Sequence, residues 1–261
     1  MRARMIPFYT LCRREVARFM KVLVQTVVTP MVSSSLYLLV FGVSLGSRVD
    51  SQNGIDYLAF LIPGLMMMGL INNAFQNTSS SIVNAKFTGE LEDLRIVPLS
   101  HHQIIWALGF GAVVRGGLVA MITYVAGAIF YALTKNQLLG IHSFPEFFFF
   151  MVVGGLVFGM LGLSTAFWAK TFDQLSAVSA FILMPLSYLG GVFISIKSLP
   201  PFWQQVSALN PLLYFINGLR HSVNGVSDVP VLSCAILSLV SLVVFYAIAL
   251  LSLKKGSFHR W

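Results

Sequence analysis

Charge is what this chain has least of. Only 10% of its 261 residues are Asp, Glu, Lys or Arg, where an ordinary soluble domain carries about a quarter. Hydrophobic residues make up 57%, more than a water-soluble fold of this size can hide. Two cysteines, Cys12 and Cys234, are too few and too far apart for a disulfide framework or a thiolate metal centre. No G-x-x-x-x-G-K-[ST] loop is present to cradle a nucleotide, and no G-x-S-x-G or H-E-x-x-H motif to support hydrolysis. The nine acids (Glu15, Asp50, Asp56, Glu90, Glu92, Asp93, Glu146, Asp173 and Asp228) all map to loops or span ends. A proton- or sodium-coupled carrier needs an ionisable or unwound site at the midplane, and the sequence offers none. The chain therefore reads as no enzyme, with no catalytic, cofactor or metal residues of its own.

What it does have is long uncharged windows, at 22–47, 57–85, 116–134, 147–169, 174–196, 198–219 and 229–253. Each approaches the ~20 residues that cross a bilayer. The 198–219 window differs, because it holds Pro200, Pro201 and Pro211 with Gln204, Gln205, Asn210 and Asn217. Proline breaks the helical ladder, and irregular backbone at membrane depth must be covered by protein or lined by water. This window is expected to be a re-entrant hairpin, leaving six true spans. With both termini cytoplasmic, 13 of the 17 Lys and Arg residues fall inside and 4 (Arg48, Lys135, Lys197, Arg220) outside, as the positive-inside rule asks. The net charge of +8 then serves orientation and lipid contact, with no nucleic-acid partner required.

The expected fold is an all-α integral membrane protein forming one transmembrane domain over residues 1–261. Its parts are an interfacial amphipathic helix (5–21), spans at 22–46, 58–84, 111–134, 147–169, 174–196 and 229–253, a cytoplasmic helix at 88–97 and the re-entrant hairpin at 198–224. In the first of these, Arg14, Arg18 and Lys21 share a basic face, suited to anchoring at the cytoplasmic interface or to passing force to the first span. Along the second span Asn73, Asn77, Ser80 and Asn84 fall on one stripe. Two uses are open for it, a translocation surface or a polar seam between helices. Between spans two and three, Glu90, Leu91, Glu92, Asp93, Leu94 and Arg95 compose a short acidic, amphipathic helix, either a docking knob or a solvated turn. Arg115 is expected to snorkel to the inner interface, the alternative being a midplane gating charge.

The segment 86–100, the stretch from Ala169 to Ser176, the run from Pro185 to Phe193 and the run from Leu199 to Tyr214 together resemble the ABC-2 type permeases, over essentially the whole chain. The resemblance is nearest to YadH-like inner-membrane permeases, beside nodulation and polysaccharide export permeases. It implies a bacterial inner-membrane permease of an ATP-driven ABC exporter, working as a homodimer with two separate cytosolic ATPase subunits that bind Mg-ATP. Glu90 to Arg95 become the coupling helix. Asn73, Asn77, Ser80, Asn84, Ser187 and Tyr188 become the translocation path, with Phe202 and Trp203 as its outer gate. The cargo would be a lipid, a glycan or a hydrophobic compound. An autonomous channel or carrier, and a non-transporting scaffold that recruits a cytosolic partner, are the rival readings.

The topology is testable directly. Cysteine at Ser51, Gln137 or Ser227 should react with an impermeant thiol reagent from outside, and at Thr88 or Ser257 only after permeabilisation. Outside labelling at Ser257 would mean seven spans and no re-entrant hairpin.

Overall fold

The computed structural model describes residues 2–45, 54–91 and 96–256, and regular structure among them is helical. In chain order the helices are α1 (Arg2–Met20), α2 (Leu23–Tyr37), α3 (Tyr57–Thr88), α4 (His101–Lys135), α5 (Phe144–Trp168), α6 (Phe172–Leu189), α7 (Pro201–Ala208), α8 (Pro211–Asn224) and α9 (Val231–Lys255). The winding of α2 continues as a π-helix over Leu38–Leu45, and α6 contains a π segment at Ser179–Leu183. Six helices are long and apolar enough to cross a membrane: α2, α3, α4, α5, α6 and α9. The 8 residues of α7 and 14 of α8 reach only about 12 and 21 Å, short of a hydrocarbon core of about 30 Å.

Local chemistry sets the ends. Asp56 caps α3 by accepting from Leu58 N at 3.0 Å, and Gly89, with φ of 82°, ends that helix in the left-handed conformation that glycine adopts freely. Thr88, expected to begin the next helix, is the last residue of α3, and its hydroxyl donates back to the Asn84 carbonyl at 3.2 Å. The helix that carries the third span begins at His101, ten residues ahead of the span's expected start at 111, where Ser100 and Gln103 form a reciprocal capping box. In α6, Met184 N donates five residues back to Ser179 O. The helix widens just ahead of Pro185, which has no N–H to offer.

Two helices form the core. In its most apolar stretch α3 is 78% buried inside the chain and α5 67%, against 28% for α4 and 17% for each of α2, α6 and α9. At the seam between α3 and α5, Thr78 Oγ1 donates to Gly159 O at 2.6 Å. A Cβ on Gly162 would lie 2.4 Å from the Phe75 carbonyl oxygen, so only glycine lets the backbones meet there. The outer helices keep apolar faces for lipid or for another chain.

A buried cation pins each end of this core. At one end Lys86, 2% exposed, donates to the carbonyls of Ala166 (2.7 Å), Phe167 (2.9 Å) and Ala169 (3.3 Å) where α5 ends. At the other, Arg220 of α8, counted above as an outer charge, is wholly buried. Its Nε donates to Phe60 O at 3.3 Å, one terminal nitrogen donates to Gly191 O at 2.6 Å, and the guanidinium lies 3.7 Å from the Phe60 ring centroid. The Asp228 carboxylate stands 4.0 Å from the other terminal nitrogen and accepts from Ser195 Oγ and Ile196 N. Residues 195–196 and 228 therefore meet, and the chain between them leaves this end of the bundle and returns to it. Replacing Asp228 by Ala should strand the Arg220 charge and destabilise the protein by about 3–5 kcal/mol. Thermal unfolding in detergent reads the loss, and an unchanged melting temperature would show that the carbonyls alone suffice.

Candidate functional site

The polar residues of α3 do not all face the same surroundings. The N-terminal helix α1 packs along α4 and reaches the lower half of α3 with its side chains. There Glu15, fully buried, accepts from Ser81 Oγ at 2.9 Å and pairs with Arg18 at 3.2 Å and Arg14 at 3.5 Å. Arg18 turns inward from the face it shares in sequence with Arg14 and Lys21. It donates to the Asn77 carbonyl at 2.5 Å, Asn77 Oδ1 at 3.3 Å and Ser80 Oγ at 3.1 Å. Gly111 of α4 permits this approach, since a Cβ there would meet Glu15 Cβ at 2.8 Å. Arg14 and Lys21 remain exposed. The α1 helix is thus a clamp on α3 and α4 as well as a basic surface.

Above the clamp a cleft of about 350 Å³ opens between α2, α3 and α4, lined by Thr26, Thr29, Ser33, Asn72, Asn73, Gln76 and Arg115 among others. That volume is within the range of small-molecule sites, roughly 300–1,000 Å³. A second cleft of about 300 Å³ lies between α3 and α6, lined by Ser79, Ser80, Ser176 and Ser179 with Gln76 and Arg115 again. The two share those last residues and flank one face of α3. Asn72 and Asn73 sit at the middle of Tyr57–Thr88, and Arg115 lies three residues short of the middle of His101–Lys135. Counted from His101, Arg115 is 14 residues along, about 21 Å up the helix. Its side chain lines both clefts, and an arginine turned toward a polar cleft between membrane helices marks a candidate functional position.

The expected stripe divides accordingly. Asn73 and Ser80 line the clefts, Asn77 is sealed beneath Arg18, and Asn84 is exposed below. Ser187 is wholly buried with its hydroxyl on Leu183 O at 2.7 Å, while Tyr188 is exposed and packs on Phe193 with centroids 5.3 Å apart. Phe193 also meets Tyr37 and Phe41 at 5.7 and 5.0 Å, an aromatic cluster at the upper end of the first cleft. Phe202 and Trp203 pair edge-to-face on α7 and are exposed. In the segment after α3, Glu90 is exposed, Leu91 is wholly buried in this chain's own cluster with Leu11, Ile104 and Leu108, and Ile96 is 82% exposed. Glu92, Asp93, Leu94 and Arg95 lie outside the described residues. Leu91 therefore holds the segment to the bundle and is not the side chain offered to a partner. The walls from α2 and α4 were missed in the sequence, although Gln25, Thr29 and Ser33 recur every four residues and carry the same helical signal as the α3 stripe.

Residues 7–224 match the family described as ABC-2 type transporter. The chain is 38% identical to "Inner membrane transport permease YadH" of Escherichia coli (strain K12), over 93% of each chain. It is 22% identical to "Nodulation protein J" of Rhizobium leguminosarum bv. viciae, over 82% of this chain and 80% of that one. Over 62% of this chain and 42% of the other it is 26% identical to "Probable multidrug ABC transporter permease YbhR" of Escherichia coli (strain K12). Six apolar helices, a polar cleft halfway along them and these matches lead to one conclusion: the chain belongs to the ABC-2 type transporter family, as a membrane permease and not an enzyme.

Proposed function

We propose that this permease is the membrane half of an ATP-driven exporter, paired with a second copy of itself and with two cytosolic ATPase subunits that carry Mg-ATP. It moves a lipid, glycan or hydrophobic compound outward from the cytoplasm or the inner leaflet. The observation that carries this reading is the polar cleft at mid-length on α3, walled by α2 and α6, whose own surfaces are mostly uncovered within one chain. The excess of positive charge on one side supports cytoplasmic termini, and the similarity to the inner membrane transport permease YadH supports the inner membrane. The multidrug description of the YbhR relative supports an apolar cargo. A carrier driven by protons or sodium is disfavoured because no acid lines either cleft among the described residues. Vanadate-sensitive, ATP-dependent movement of cargo by the purified complex would exclude both the autonomous carrier and the scaffold.

In the proposed docking surface after α3, Glu90 and Ile96 are exposed. Ile96→Asp should leave the permease folded and weaken co-purification of its ATPase by at least about tenfold. Wild-type recovery of the ATPase would move the docking site elsewhere. For the path itself, Gln76 and Asn77 are adjacent yet differ in access. Cysteine at 76 should react with a thiol reagent in the nucleotide-free state and cysteine at 77 should not. Gln76→Trp should block transport with stability intact, whereas Asn77→Trp should cost about 1–3 kcal/mol through overpacking. Transport unaffected by Gln76→Trp would remove the cleft from the path.

A further inference from the structure

The other cations inside the bundle are provided with acceptors. Lys86 has three carbonyls, Arg220 has two carbonyls and Asp228 nearby, and Arg18 has Glu15, Asn77 and Ser80. Arg115 differs. Its Nε is buried with no hydrogen-bond partner, and no ion pair reaches it among the described residues. Two more buried donors without acceptors stand close by, Arg18 Nε and Asn77 Nδ2. Arg18 and Arg115 are near enough to repel. The one carboxylate in this group, Glu15, is already shared by Arg14, Arg18 and Ser81. Three guanidiniums to one carboxylate leave a positive surplus around an open polar cleft.

Among the described residues the acids other than Glu15 lie in loops or at helix ends, where Asp56 pairs with Lys135 and Glu146 with His221. None of them lines either cleft. An anionic group entering the open cleft would supply the acceptor that Arg115 lacks. A guanidinium presents a planar fork that suits phosphate oxygens. Above Arg115 the same cleft turns apolar at Tyr37, Leu65 and Met68.

We propose that Arg115, backed by Arg18 and flanked by Asn72, Asn73 and Gln76, is a recognition site for the phosphate headgroup of an acidic, lipid-like amphiphile. This rests on the cleft being part of the transport path. The test is binding of short-chain phosphatidic acid to the full-length permease in phosphatidylcholine nanodiscs without nucleotide, with glycerol 3-phosphate and added phosphatidylcholine as comparison ligands. Arg115→Gln should weaken phosphatidic acid by at least about tenfold, the scale of a lost charge-assisted pair. Arg115→Lys should fall between, since it keeps the charge and loses the fork, and Arg13→Gln, at an exposed position, should bind as wild type. Melting temperatures in phosphatidylcholine alone should match across the series, and the Lys variant reports on the site if the Gln variant is unstable. Equal binding by wild type and both Arg115 variants would overturn the site, as would equal binding of phosphatidylcholine. Glycerol 3-phosphate binding as tightly as phosphatidic acid would overturn the lipid and leave a free phosphate ester as the ligand. Binding is read without transport, so failure here and failure of the Gln76→Trp test are separate results.

Discussion

A polar group inside a bilayer must find its partner within the protein, and this constraint governs the fold from both ends. The last carbonyls of α5 have no helical donor of their own, and Lys86 reaches across from α3 to supply three hydrogen bonds. At the opposite end Arg220 does the same for the carbonyls of Phe60 and Gly191. Each cation is acceptable in the interior because the carbonyls solvate it, and each set of carbonyls is acceptable because the cation is there. The pairs fix α3 against α5 at one end and the α7–α8 hairpin against α3 at the other. Short helices that could not survive alone in lipid are held by this exchange.

Much of this architecture is legible in the sequence. Charges interrupt the apolar windows at their ends, so six helices can be counted directly, and Pro200, Pro201 and Pro211 mark the one window that cannot cross. What the sequence hides is which surface covers which. A helical wheel places Asn73, Asn77 and Ser80 on one stripe, but it cannot know that α1 lies over Asn77 and stops short of Asn73. The same blindness turned Arg18 outward and Leu91 toward a partner, where each is spent inside the chain.

Burial is distributed unequally, and that bears on motion. The α3–α5 pair carries most of the packing, with glycine contacts tight enough to exclude a methyl group. By contrast α2 and α6 leave most of their surface uncovered, and hydroxyl or amide contacts tie them to α4 and α3, Ser34 with Thr123 and Ser179 with Asn72. Displacing either wall breaks few interactions, whereas displacing the central pair would break the core. The polar clefts lie along the line where fixed and displaceable parts meet.

The π segments of α2 and α6 give this arrangement a change of phase. A π turn carries one residue more than the α turn it replaces, and one residue turns an α-helix by about 100°. Side chains before and after such a segment therefore do not continue the same face. Along α2, threonines and serines line the cleft up to Ser34, and Tyr37, just before the π segment, lines it too and meets Phe193 after α6, as does Phe41 within the segment. The lining changes from hydroxyl to aromatic without a break in either helix. One sequence thus presents a wet wall and a greasy one in succession along a single cleft.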